Sequence, residues 1–225
     1  FCQIQYNYMD EHSQAGRRGL KRAHEKGIPV IIMEPLRGGR LVQGLPKSAL
    51  RLLEREGSGR SPAEWGLRWL WDQPEVTVVL SGMNDIAQVR ENVRIASAAA
   101  AGCMAPRDKK VIARIKSEIN RYMKVPCTGC GYCQPCPAGV DIPGCFSAYN
   151  TRYTDNWYQG MKAYIMCTTL RTTPSNASKC LKCGKCERHC PQKIHIRQQL
   201  AQVKRHMETP VYHIARMIAG KIGNY

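Results

Sequence analysis

The sequence predicts an α/β unit with a parallel sheet, followed by an α-helical unit built around clustered cysteines. Three observations predict it. Short apolar runs alternate with helical periodicity through the first hundred residues. Those runs are apolar throughout, as in strands covered on both faces. Eight of the twelve cysteines then fall into two tight runs in the second half of the chain.

Residues 1–8 alternate and are β-prone. Residues 15–26 read as a helix with Leu20 and Ala23 on one face, stopped by Gly27 in the C′ position. Residues 28–33 are a continuous apolar run, with Pro29 near its start, where a strand tolerates proline. Residues 35–39 form a loop. Ser61-Pro62-Ala63-Glu64 is a capping box with proline at N1. It opens a helix through Trp65, Leu67, Trp69 and Leu70. Residues 76–80 are another strand, Ser81 to Asn84 a turn, and 85–98 a helix. The order β-α-β-α-β-α implies a parallel sheet. Three such strands have no neighbours on either side in this sequence, and the chain opens in a strand without an initiator Met. It is therefore expected to be a piece of a longer chain.

Residues 96–102 are small and alanine-rich, and Pro106 breaks any continuing helix. Residues 107–124 then read as a basic amphipathic helix with Val111, Ile115 and Ile119 on one face. Docking on the cysteine-rich unit is the expected use of that face, with a membrane surface as the competing use. The resulting division is 1–102, a linker helix over 103–124, and 125–225.

The first cysteine run is Cys127-x2-Cys130-x2-Cys133-x2-Cys136-Pro137, and the second is Cys180-x2-Cys183-x2-Cys186-x3-Cys190-Pro191. The second has the bacterial ferredoxin spacing for [4Fe–4S] ligation. Gaps of two residues turn tightly enough to aim successive sulfurs at one centre, and Gly129, Gly131 and Gly184 supply the backbone freedom. In two-cluster ferredoxins the cysteine before the proline serves the other cluster. On that rule Cys127, Cys130, Cys133 and Cys190 hold one cube, and Cys180, Cys183, Cys186 and Cys136 hold the second. The first run is one residue short before Cys136, which leaves Cys145 as the alternative fourth ligand. Zinc is the competing reading of paired C-x2-C units, but it does not need a third and fourth cysteine at these intervals. A disulfide framework is not expected, because the spacing suits a metal and the chain has no signal-peptide layout. Cys2, Cys103 and Cys167 read as inert thiols, and His189 as a neighbour of the cluster or a surface group rather than a ligand.

The formal net charge is +17, from 34 basic and 17 acidic residues. Two clusters, at roughly −2 each with their thiolates, leave the chain strongly basic. The basic residues are spread out and form no recognised nucleic-acid motif, so nucleic acid is not the expected partner. An acidic electron carrier of ferredoxin or flavodoxin type, or a phosphate-bearing cofactor, accounts for the field. No apolar run approaches a membrane span, and the expected compartment is the cytoplasm.

The residues also carry a resemblance. Cys2-Gln3-Ile-Gln-Tyr-Asn7 resembles the sixth strand of aldo/keto reductase barrels. Met33-Glu34-Pro35-Leu36-Arg37-Gly38-Gly39 resembles their seventh-strand exit, and residues 61–70 their seventh helix. Ser81-Gly82-Met83-Asn84, with Gln88, Glu91 and Asn92, resembles the loop and helix after the eighth strand. With the cysteine region included, the whole chain is similar to the ferredoxin-tailed aldo/keto reductases. The resemblance implies the last three βα units of a (β/α)8 TIM barrel followed by an α-helical ferredoxin-like domain. It implies hydride exchange between NADP or NAD and a small carbonyl substrate. The family's catalytic tyrosine, aspartate, lysine and histidine come from the first half of the barrel, so no catalytic residue is assigned here. Tyr6 and Tyr8 read as packing residues.

The cofactor-holding positions that the resemblance implies are Gln3 at the nicotinamide carboxamide, Glu34, Leu36, Arg37, Gly38 and Gly39 at the strand exit, and Gly82, Met83, Asn84, Gln88 and Asn92 at the adenosine phosphate. Methionine at 33 and glutamine at 88 depart from the aromatic and the arginine common in the family. A hydride carries two electrons and a cube one, so a flavin or a partner protein would bridge them, although no flavin motif is present. The competing functional classes are a non-catalytic electron-transfer module docking to a larger complex, and a structural module in which the metal only staples helices.

Overall fold

The computed structural model describes residues 1–56, 58–171 and 173–222. Residues 1–120 and 121–225 form two compact units.

In the first unit, strands β1 (Cys2–Gln5), β2 (Val30–Met33) and β3 (Val78–Val79) make a parallel sheet in the order β1-β2-β3. Cys2 lies beside Val30, Gln5 beside Met33, and Ile31 beside Val78. Five helices accompany them: α1 (Gly16–Glu25), α2 (Lys47–Arg55), α3 (Pro62–Trp71), α4 (Ile86–Ser97) and α5 (Pro106–Tyr122). The strands and helices expected from the sequence are present, with shorter strands, because the ladder pairs only these residues. Gly27 takes φ +65°, the left-handed stop expected after α1.

One face of the sheet is packed. Val30 and Ile32, with Cys2, Ile4 and Val79, meet Leu20 of α1 and Leu70 of α3. The other face is open. Gln3 is exposed, as are Met33, Val78 and Leu80, the first and last at 44%. The apolar runs, read from sequence as covered on both faces, are therefore covered on one among the described residues.

The capping box is half formed. Ser61 Oγ accepts from the Glu64 amide at 3.0 Å. The Glu64 carboxylate turns to Arg68 and to Arg94 of α4, both at 2.7 Å, and so ties two helices together. The helix expected over 107–124 also differs in its use. As α5 it belongs through Asn120 to the first unit. Arg107 pairs with Glu56 at 2.9 Å, Asp108 with Arg60 at 2.8 Å, Lys109 with Asp72 at 2.8 Å, and Lys116 with Glu11. Acidic groups just past the ends of α2 and α3 and in the β1–α1 loop thus claim the basic face, while Val111, Ile112, Ile115 and Ile119 are buried.

A buried polar network joins the two loops that leave β1 and β2. Asp10 and Arg37 pair at 3.2 Å, with side chains only 4% and 2% exposed. Asn7 Nδ2 donates to Asp10 Oδ2 and to the Glu34 carbonyl, each at 3.0 Å. Tyr6 and Tyr8 are buried against Trp69, with ring centroids 5.3 and 6.3 Å away.

The second unit is helical: α6 (Ile142–Thr154), α7 (Trp157–Thr168), a 3-10 turn (Ala177–Lys179), α8 (Lys185–Arg188), α9 (Ile196–Met207) and α10 (Pro210–Ile222). Phe146, Met161, Tyr164, Leu200, Val203 and Met207 fill its core. Helices α6 and α7 approach so closely at Gly160 that a Cβ there would lie 2.6 Å from the Arg152 Cα. Arg152 in turn donates to the His206 carbonyl at 2.8 Å, binding α6 to α9.

Two stability predictions follow from these contacts. Asp10→Ala leaves Arg37 charged, buried and short of its carboxylate, and should destabilise the protein by about 3–5 kcal/mol in denaturant unfolding. Gly160→Ala forces α7 against backbone rather than a yielding side chain. It should cost about 1–3 kcal/mol or more in thermal unfolding, with loss of native near-UV dichroism.

Candidate metal centres

Each cysteine run is followed by a turn that opens at proline, a short irregular stretch and a helix. Val140 and Ile142 lead into α6, and Ile194 and Ile196 lead into α9; all four are buried in the core of the second unit. Anchoring the isoleucines fixes where each preceding cysteine loop stands. The approach to each run is held from a helix as well. Asn150 of α6 accepts from the Lys124 and Val125 amides at 3.0 and 2.9 Å, and donates to the Val125 carbonyl at 2.7 Å. Glu208, just beyond α9, accepts from the Ser178 amide at 2.9 Å, from the Tyr164 hydroxyl at 2.8 Å and from Asn176 Nδ2 at 3.2 Å. Neither clamp was anticipated from the sequence. Asparagine and glutamate in helical surroundings carry no local signal for such a role.

The result is two cavities, each lined by four cysteines. One is lined by Cys127, Cys130, Cys133 and Cys190, together with Phe146, Ile194 and Ile196. The other is lined by Cys136, Cys180, Cys183 and Cys186, together with Leu181, Arg197 and Leu200. Ile142 lines both. Each cavity thus takes three cysteines from one run and the pre-proline cysteine of the other. Cys145 lines neither. It is buried in α6, with its thiol 3.9 Å from the Ser175 carbonyl.

None of the twelve cysteines, all among the described residues, is in a disulfide. Burial, and then the neighbouring Cys127, pushes the Cys133 thiol up to about 12. Burial, and then Glu187, raises that of Cys186. Burial, and then Cys167, holds Cys145 well above the ordinary thiol range. Among the described residues, no three Cys, His, Asp or Glu side chains close in on a point that could hold a single metal ion. Four soft sulfurs lining a largely apolar pocket fit a cluster better than tetrahedral zinc, which needs every sulfur at about 2.3 Å from one centre. His189 lines neither cavity.

The surroundings of the two cavities differ. No charged side chain lines the first. At the second, Arg197 pairs with Glu187 at 2.9 Å, and the Lys182 amide donates to Cys180 Sγ at 3.4 Å.

The residues assigned to a nicotinamide cofactor stand in the first unit. Gln3 is on the open face of β1. Glu34, Leu36, Arg37, Gly38 and Gly39 follow β2, and Gly82, Met83 and Asn84 follow β3. Gln88 and Asn92 lie on α4. The loops therefore share the carboxyl end of the sheet, where sites on parallel sheets form. The Asn84 amide donates to Gln88 Oε1 at 3.4 Å, and Asn92 Nδ2 to Ser81 Oγ at 3.1 Å, holding the last loop on α4. Arg37 is turned inward to Asp10. A Cβ on Gly39 would meet nothing within 4 Å, so glycine is required there by φ +79° rather than by close approach of other atoms.

Residues 1–101 match the model of the aldo/keto reductase family. Residues 126–195 match that of the 4Fe-4S dicluster domain. Among solved structures, the chain is similar to the holo form of the aldo-keto reductase AKR11C1 from Bacillus halodurans, at 22% identity and a TM-score of 0.38. That match covers 50% of this chain and 41% of the other. No curated protein matches the chain. The chain thus joins a segment similar to the aldo/keto reductase family to a segment similar to the 4Fe-4S dicluster domain.

Proposed function

We propose that the chain is the cluster-bearing part of an oxidoreductase of the aldo/keto reductase type. In this reading, NAD(P)H-dependent interconversion of a small carbonyl substrate and its alcohol is coupled to electron transfer through two [4Fe–4S] clusters. The sorting of eight cysteines into two cavities of four carries the reading. Bound clusters would supply one-electron oxidation and reduction. Cys127, Cys130, Cys133 and Cys190 hold the first, and Cys136, Cys180, Cys183 and Cys186 the second. Ile142, Phe146, Ile194, Ile196 and Leu200 exclude water from both. The raised thiols of Cys133 and Cys186 release protons as they become ligands, so loading of the free protein weakens as pH falls.

The open face of the sheet supports the barrel part of this reading. An apolar parallel sheet with one bare face suits the last three βα units of a (β/α)8 barrel, whose remaining strands would cover it. The nicotinamide nucleotide, NADP or NAD, then lies at the carboxyl ends of β1 to β3. Gln3 reaches its carboxamide, and residues 82–84 and the amino end of α4 meet its phosphate. Arg37, engaged by Asp10, positions the loop. No residue of this chain is assigned to proton transfer. Cysteines at metal spacing suit the reducing cytoplasm, and the positive charge suits an acidic electron carrier of the ferredoxin or flavodoxin type.

Anaerobically purified protein should contain about eight iron and eight sulfide per chain, four for each cube. Cys136→Ser should reduce this to about four, and Cys145→Ser should leave it near eight. Stoichiometric zinc without sulfide would sink the cluster reading. In the intact protein, NADPH should bleach the cluster absorbance. Failure of any nicotinamide nucleotide to bind would leave only the electron-transfer module.

A further inference from the structure

The second unit carries a wide basic groove that the proposed chemistry has not used. It is lined by Lys182, Arg197, Lys204, Arg205 and His213, and Cys180 opens into it. All five basic side chains are exposed. Glu208, the one carboxylate among the described residues that line the groove, is turned inward to the Ser178 amide, the Tyr164 hydroxyl and Asn176. It and Glu187, which pairs with Arg197 at 2.9 Å, offset part of the positive field, and Lys182, Lys204 and Arg205 leave the groove basic. Leu181, next to Cys180 and 72% exposed, lines the second cavity. A cluster ligand thus reaches a concave positive surface, with an exposed apolar residue beside it. Charge around an apolar contact is the pattern of transient protein docking, where charge sets the rate of encounter and register more than affinity. The first cavity has no charged lining.

We infer that this groove is the docking surface for a small acidic electron-carrier protein, and that electrons cross between carrier and protein at the cluster held by Cys136, Cys180, Cys183 and Cys186. The inference rests on the two-cluster reading above. In each crossing one electron leaves the reduced centre, which returns to its oxidised form, and the carrier is reduced by one electron. No bond forms or breaks. The two electrons of a hydride require two crossings.

The test uses the intact, cluster-loaded protein, reduced with dithionite, freed of excess reductant and mixed in a stopped-flow instrument with oxidised flavodoxin as the acidic carrier. The second-order rate should fall steeply with added salt. Lys204→Glu combined with Arg205→Glu should lower it about tenfold or more at low salt and flatten the salt dependence. Lys162→Glu, an exposed change on α7 outside the groove, should leave the rate within about twofold of the parent. Iron content and electron paramagnetic resonance of the same samples test the two-cluster reading separately. A fully loaded double variant that reduces flavodoxin at the parent rate overturns the groove assignment alone, as does an equal loss in Lys162→Glu. If the double variant instead loses binding to a single-stranded oligonucleotide with unchanged carrier kinetics, the groove recognises phosphate, and the proposal is wrong.

Discussion

In the proposed two-cluster reading, four sulfurs meet around each of two small volumes, and each set draws on both cysteine runs. Each cavity is completed by the pre-proline cysteine of the other run. That requirement organises the second unit. The two runs, separated by 43 residues, have to lie side by side, and α6 and α7 fill the interval as a tightly packed pair. Gly160 exists in this packing because nothing larger fits against the Arg152 backbone. Ile142 and Ile196 start the helices that follow the two runs, and both are sunk in the core. Asn150 and Glu208 then fix the approach to each run with bonds to backbone. The cysteine loops themselves have little regular structure, so these surrounding contacts position the sulfurs.

The first unit follows a different logic. Its sheet is built to be covered on two faces, and the described residues cover one. Strand formation was legible because Val, Ile and Met runs bounded by glycine and proline have few other uses. The open face was not legible, since sequence reports a residue's affinity for burial and not whether a partner layer is present. Arg37 was misleading for a related reason. A glycine-flanked arginine in a βα loop resembles an anion ligand, but Asp10 lies 27 residues away in sequence and claims it in the fold.

The cysteine pattern was the most legible part of the molecule, because ligand spacing is a local property that sequence states directly. Even the exchange of pre-proline cysteines between runs could be read, as could the weakness at the shortened Cys133–Cys136 step. The structure places Cys136 at the second cavity and keeps Cys145 inside α6. The helix over residues 106–122 shows the opposite case. Its amphipathic period was clear, but the choice of which unit it joins depends on Glu11, Glu56 and Asp72, which are scattered through the preceding hundred residues. Helix α2 carried no motif, and α10, starting at a proline after Glu208, drew no expectation either.

The exchange of one cysteine between runs has a topological consequence. With a rigid cube in each cavity, as proposed, the second would close a loop of residues 137–179 and the first the wider loop of residues 134–189 that contains it. Closing a long loop removes far more freedom from the unfolded chain than from the folded one. In the proposed reading the crossing therefore makes the two fastenings redundant: losing either cube would still leave the other holding the interval closed. Such ties would add to the apolar core, against which six of the eight cysteines are packed.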